Sequence, residues 1–138
     1  HMPVIVSTHP RTRDKLTKNK IGNVSEHVHF LEPFGFFDFV SLEESAFCVL
    51  TDSGTVQEEC CILRIPNVTL RDVTERPETV ECGSNILAGA DIEIALNAVE
   101  QSRKQSKDWI VPREYLVENV SDVVCNLLMG YREFGVSR

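Results

Sequence analysis

At 138 residues, with 42% hydrophobic and 25% charged residues, the chain has the composition of one soluble globular domain that can bury a sizeable core. A net charge of −7 and a pI near 5.1 argue against a nucleic-acid or anionic-membrane surface but leave room for a phosphorylated small molecule in a locally positive pocket. No apolar run approaches the roughly 18 residues of a membrane span, and no signal peptide is evident, so the chain is not expected to span a membrane; its cysteine usage makes a cytoplasmic setting the expectation.

His1-Met2 reads as a cloning remnant before Pro3, which suggests a piece cut from something longer; residues 3–138 are expected to form the domain. The β-branched "PVIVST" (3–8) predicts a buried strand, followed by a basic loop and a short helix over 12–18. "HVHFLE" (27–32) reads as a second strand, broken by Pro33-Phe34-Gly35. "FFDFVSLEESA" (36–46) predicts a helix, and most of Phe34, Phe36, Phe37 and Phe39 are expected in the core. A third strand (47–51) and a helix (55–64) follow, then a strand at 67–70. Pro77 suits the first position of a short helix (77–82) closed by Gly83, with a fifth strand at 84–88. A helix over 91–104 carries Ile92, Ala95, Leu96 and Val99 on one face, with Asp91 as N-cap. The segment with Lys107, Asp108, Pro112 and Arg113 reads as a loop. A last helix (118–133) places Val120, Val124, Leu127, Leu128 and Tyr131 together.

Short strands alternating with helices predict an α/β fold: a Rossmann-like, three-layer parallel sheet built from right-handed crossovers. Ligands bind such sheets beyond the carboxyl ends of the strands, which singles out loops 8–13, 32–39, 51–55 and 71–77. Five cysteines, Cys48, Cys60, Cys61, Cys82 and Cys125, are odd in number and lack metal-ligand spacing. They are expected to be buried reduced thiols, with no metal and no cofactor.

In "TDSGTVQEECC" a strand end meets Ser53, Gly54 and Thr55 at a helix start. Backbone N–H groups, two hydroxyls and the positive end of the helix dipole make that turn either an anion site or a plain cap by Asp52 or Ser53. Neither a Walker A loop nor a G-x-G-x-x-G run is present, so an ATP or NAD site lacks its motif. Glu59 sits one turn deeper and can accept from sugar hydroxyls, whereas Glu58 reads as a solvated surface acid. "LRDVTERPE" places Arg71 and Arg76 around the next helix start, as anion ligands or as partners of Glu75 and Glu78. His9 and Arg11 follow the first strand as further candidates, His9 as a proton shuttle or a satisfied loop histidine. His27 and His29 share one strand face and read as structural.

"TDSGTVQEE" followed by "RDVTERPETVECGSNILAG", with "PVIVSTHPRTR" and "FFDFVSLEESAFCVLTDSG" before them, resembles the non-hydrolysing UDP-N-acetylglucosamine 2-epimerases. The likeness covers nearly the whole chain but about the second half of that family's polypeptide, the C-terminal domain of a two-domain, GT-B-like enzyme. It implies interconversion of UDP-N-acetylglucosamine and UDP-N-acetylmannosamine, by removal of the C2 proton, elimination of UDP and its return. The family serves polysaccharide biosynthesis, and the full-length enzyme is expected to be a homodimer. Carried over by position, Phe39 packs on the uracil and the backbone near Phe34 reads its edge. Ser53, Gly54 and Thr55 bind phosphate oxygens, Glu59 holds the ribose diol, and Arg76 meets the diphosphate. Thr55 departs from a second glycine found in many members, and Phe34 from a polar residue in some. The carboxylates that handle the C2 proton are expected in the N-terminal half, outside these residues, so the 138 residues alone are expected not to epimerise. A hydrolysing epimerase, a GT-B glycosyltransferase donor domain and a stand-alone nucleotide-sugar module are the alternatives.

Overall fold

The computed structural model describes residues 2–22 and 24–130, which fall into two compact units divided between Ser45 and Ala46. In the first, β1 (Val4–Ser7) leads into α1 (Pro10–Lys18), then β2 (Val28–Leu31) and α2 (Phe36–Ser45). β1 and β2 pair in parallel with Val4 opposite Val28 and Ser7 opposite Leu31. Helix α1 starts two residues earlier than the sequence predicts because Pro10 can occupy the first turn and His9 caps it, its Nδ1 accepting from the Arg11 N–H at 3.2 Å.

The expectation of a phenylalanine core fails here. Phe36 and Phe37 are 67% and 85% exposed and meet each other edge to face at 5.5 Å, while Phe34 and Phe39 are half-buried. Successive helix positions diverge by about 100°, so Phe36, Phe37 and Phe39 cannot share one buried stripe. The strand "PVIVST" is not buried within its unit either: Val4 and Ile5 are exposed.

The second unit holds β3 (Val49–Thr51), α3 (Gly54–Leu63), β4 (Asn67–Thr69), α4 (Pro77–Glu81), β5 (Asn85–Leu87), α5 (Ile92–Ser102), a 3-10 turn (Arg113–Leu116) and α6 (Val120–Gly130). Its three strands pair in parallel in the order β3-β4-β5, with Val68 between Leu50 and Ile86. Side chains alternate along a strand, and helices cover both faces of β4. On one face Val68 packs with Ala88 and Ala98, flanked by Ala95 and Val99 of α5. On the other, Thr69 and Asn85 meet Gln57 of α3 and Thr79 of α4 through hydrogen bonds. The α/β reading with parallel strands therefore holds, and in this unit the strands have helices on both faces.

Helix α5 is capped as expected, Asp91 Oδ1 accepting from the Ile94 N–H at 3.0 Å. Its buried stripe matches the expected one in part: Ala95 and Val99 pack on the core as expected, beside buried Ala98 and Ser102, but Ile92 and Leu96 lie 73% and 61% exposed. Small side chains let the helix approach the sheet closely, so the alanine-rich face wins over the larger residues. Gly83 ends α4 with φ +86°, where a side chain is disfavoured. The expected loop after α5 contains the 3-10 turn, and Trp109 and Val111 before it are buried against Cys61. In α6 no residue is buried: Val120, Val124, Leu127 and Leu128 are all exposed, and Tyr131 lies outside the described residues.

The cysteines are free thiols. Cys60 and Cys61 are buried, Cys48 and Cys82 half-buried, and Cys125 exposed, contrary to the expectation of burial for all five. Among the described residues no helix is long and apolar enough to cross a membrane, and no group of three His, Cys, Asp or Glu side chains is placed to hold a metal.

Candidate functional site

The loop after β3 and the loop after β4 meet at the start of α3. The peptide turns at Ser53, whose extended backbone (φ −88°, ψ 134°) begins α3, and whose N–H donates to Thr51 Oγ1 at 3.0 Å. Among the described residues no side-chain hydrogen bond caps this helix. Both Asp52 and the Ser53 hydroxyl leave its first turn unsatisfied, against the reading of a plain cap. Donor groups and the helix dipole therefore face outward beside two hydroxyls, those of half-buried Ser53 and exposed Thr55. Nothing in the structure explains Asp52.

Arg76 reaches across to this turn from the position before Pro77. A Cβ added to Gly54 would lie 3.7 Å from both the guanidinium carbon and Nη2 of Arg76, so the absent side chain leaves the guanidinium directly above the helix start. Glu58 holds it there: its carboxylate accepts from Arg76 Nε, and Nη1 donates to the Glu75 carbonyl at 3.0 Å. The hydrogen bond and charge of Glu58 raise the Arg76 pKa further, so the group is permanently cationic. Glu58 is therefore not the solvated surface acid that its place in the sequence implies. Gly54 and Glu58 are four residues apart and so share one face of α3, which lets one arginine lie along both.

Thr55 and Glu59 share the adjacent face by the same spacing. Glu59 is partly buried, and its pKa is raised, first by loss of solvent and then by the neighbouring Glu58 charge. Arg71 settles into the bland alternative: Nη1 and Nη2 each donate to Glu75 at 3.1 Å, and Glu75 is held below the usual carboxylate range by its own backbone hydrogen bonding and then by Arg71. Sequence reasoning missed Tyr115, from the 3-10 turn, whose hydroxyl donates to Glu78 Oε2 at 3.3 Å. Burial, and then Glu78, push its pKa up to about 12, so it stays a neutral donor.

The structure thus brings Ser53, Gly54, Thr55 and Arg76 together, with Glu59 one turn along the same helix. The remaining candidates belong to the N-terminal unit. There His9 caps α1, which is its structural alternative, and Arg11 is exposed beside it. Phe34 lines a shallow hollow with Asp38, Ser41 and Leu42, and the Phe39 N–H donates to the Gly35 carbonyl at 2.9 Å. Chemically, the assembled turn offers uncapped amide donors, two hydroxyls and one fixed guanidinium to an anion, and a carboxylate acceptor to a neighbouring hydroxylated group.

The chain matches, over residues 1–129, the family described as UDP-N-acetylglucosamine 2-epimerase. It is 42% identical over 133 residues to a UDP-N-acetylglucosamine 2-epimerase of Methanococcus maripaludis, covering 94% of this chain and 36% of that one. The crystal structure of the Methanocaldococcus jannaschii UDP-GlcNAc 2-epimerase in complex with UDP-GlcNAc and UDP superposes with a TM-score of 0.84 at 39% identity, over 92% of this chain and 35% of that one. The Neisseria meningitidis UDP-GlcNAc 2-epimerase bound to UDP-GlcNAc gives a TM-score of 0.69 at 28% identity, over 94% of this chain and 36% of that one. The chain spans about a third of the length of the relatives it matches.

Proposed function

Since this chain belongs to the UDP-N-acetylglucosamine 2-epimerase family, we propose that it forms the UDP-binding part of an enzyme that interconverts UDP-N-acetylglucosamine and UDP-N-acetylmannosamine. The observation that carries this reading is the Arg76 guanidinium lying over Gly54 at the uncapped start of α3. A diphosphate seated there meets amide N–H groups of the first turn, the Ser53 and Thr55 hydroxyls, and a guanidinium already aligned by Glu58. Glu59, on the Thr55 face of the helix, accepts from the ribose diol.

The chemistry follows from where charge develops. Removing the C2 proton and breaking the bond from C1 to the diphosphate oxygen leaves a glycal and UDP, whose terminal phosphate gains negative charge. Preformed donors and Arg76 lower the cost of that charge without reorganising during the reaction. Return of UDP to C1, with protonation of C2 from the other face, reverses the same electrostatics. Proton transfer at C2 requires an acid or base beside the sugar, and the residues proposed here serve the nucleotide. The 138 residues alone are therefore expected to bind UDP without epimerising. The homodimeric state and cytoplasmic setting belong to the same proposal for the whole enzyme.

Calorimetric titration with UDP and with ADP, on the chain and on Arg76→Ala, tests the reading. UDP is expected to bind more tightly than ADP, and Arg76→Ala to weaken UDP by about ten- to a hundredfold, the range for losing a hydrogen bond to a charged group. Equal affinity for the two nucleotides, or an Arg76→Ala variant as tight as the parent, would sink it.

A further inference from the structure

The two glutamates of "VQEE" are accounted for by Arg76 and by the proposed ribose contact, but the glutamine before them is not. Gln57 is fully buried at the second turn of α3. Its Nε2 donates to the Ser53 carbonyl at 3.1 Å, and its Oε1 accepts from Thr74 Oγ1 at 2.7 Å and from Asn85 Nδ2 at 3.2 Å. Thr74 has one proton to give and gives it to Gln57, so its oxygen is free to accept the Arg76 N–H at 3.0 Å. Asn85 is fixed in turn by accepting from Thr69 at 2.8 Å and donating to Thr79 Oγ1 at 3.1 Å. The Thr79 hydroxyl then donates to the Arg76 carbonyl at 2.8 Å. Both polar groups of the Arg76 peptide unit are thus held by threonine hydroxyls whose partners converge on Gln57 and Asn85.

We infer that Gln57 is a positioning residue for the nucleotide: its carboxamide locks the Ser53 end of α3 to the turn that carries Arg76. A buried amide serving only the core would end on core groups. This one meets the core at Asn85 but also ends on the carbonyl of the residue that opens α3 and, through Thr74, on the backbone of Arg76. That backbone (φ −126°, ψ 57°) lies outside regular helix and strand geometry, and α4 holds it through Thr79, whose N–H also donates to the Arg76 carbonyl at 3.1 Å. Donor and acceptor of one side chain face opposite segments, so the distance between the two segments is set by the size of a single carboxamide. Arg76 has two independent restraints, Glu58 on its guanidinium and the Gln57–Thr74 link on its backbone. Placing a guanidinium beforehand reduces the entropy lost on binding. The inference deepens the UDP reading and rests on it for the identity of the ligand.

Thr74 is half-buried, so Thr74→Val removes the hydroxyl with little change in shape, and Thr74→Ser restores it. Gln57→Met, of similar length and without hydrogen bonds, breaks the link at its other end. In the 138-residue chain, Thr74→Val is expected to weaken UDP about fivefold, the worth of one typical hydrogen bond, while Thr74→Ser stays near the parent value. Without ligand, amide hydrogen exchange in Thr74→Val and Gln57→Met is expected to rise at Arg76 and over residues 53–56 more than along β4 or α5. Parental UDP affinity in both variants, or an even rise in exchange across the second unit, overturns the inference and leaves Gln57 a core residue. A parent chain that binds no UDP overturns the ligand reading instead; the exchange pattern then decides the Gln57 link by itself.

Discussion

The two faces of β4 solve the same problem by different physics. Val68, Ala88 and Ala98 close one face with apolar volume alone, where any side chain of suitable size and shape satisfies the neighbours. Across the same strand, Thr69, Asn85, Gln57, Thr79 and Ser84 are just as buried, yet their energies depend on direction and partner. Such a network contributes little net stability per bond but makes wrong arrangements costly, because a misplaced partner leaves a buried group unpaired. The apolar face therefore stabilises, and the polar face fixes relative positions. It is the polar face that supports the loops carrying Ser53 and Arg76. Satisfaction on that side is not complete: the Asn67 carboxamide, also buried, finds no hydrogen-bond partner among the described residues.

Three substitutions break or sharpen this contrast. The largest effect is expected from Asn85→Ala, which strands Thr69 and removes partners of Gln57 and Thr79. Chemical denaturation should show a loss of about 3 kcal/mol, and UDP affinity should fall in the variant measured while still folded. Val68→Ala on the opposite face should cost about 2 kcal/mol for two buried methyl groups and the space they leave, with UDP affinity unchanged. A UDP affinity that falls equally in both variants would erase the distinction between the faces. The smallest effect belongs to Glu59→Gln. Its folded pKa is raised, so the ionised form is disfavoured in the folded chain, and the penalty is present above that pKa and fades as pH falls through it. The variant should gain at most about 0.5 kcal/mol at pH 7, because the carboxylate keeps much of its solvent. Thermal midpoints of variant and parent should converge in acid, while UDP binding is weakened at neutral pH. A variant less stable than the parent at neutral pH would contradict the sign.

Local signals made most of the second unit legible in the sequence. Asp91 before an apolar-periodic run, Pro77 opening a short helix and Gly83 closing it each act within a few residues of themselves, and each does what its chemistry predicts. The strand pattern gave the parallel α/β class for the same reason. What the sequence concealed depends on partners far along the chain. Glu58 looks like a surface acid until Arg76, 18 residues later, is folded against it. The role of Gln57 requires Ser53, Thr74 and Asn85 to be brought to one point. On α5 the hydrophobic pattern correctly placed Ala95 and Val99 on the packed face, but close approach to the sheet buries Ala98 and leaves Ile92 and Leu96 exposed. The phenylalanines misled because aromatic content indicates burial only where periodicity aims the rings at a common surface.

Arg64 holds a consequence for the order of folding. It ends α3 in the left-handed conformation (φ 59°), which few residues other than glycine tolerate, and its Nη1 donates to the carbonyls of Lys107 and Trp109 at 3.1 and 2.6 Å. Those carbonyls lie 43 and 45 residues downstream, beyond β4, α4, β5 and α5. Closing so long a loop is entropically unfavourable until the intervening strands have paired. The clamp therefore belongs on the native side of the folding barrier, acting as a latch on unfolding rather than as a nucleus: weakening it shortens the lifetime of the folded chain more than it slows its formation.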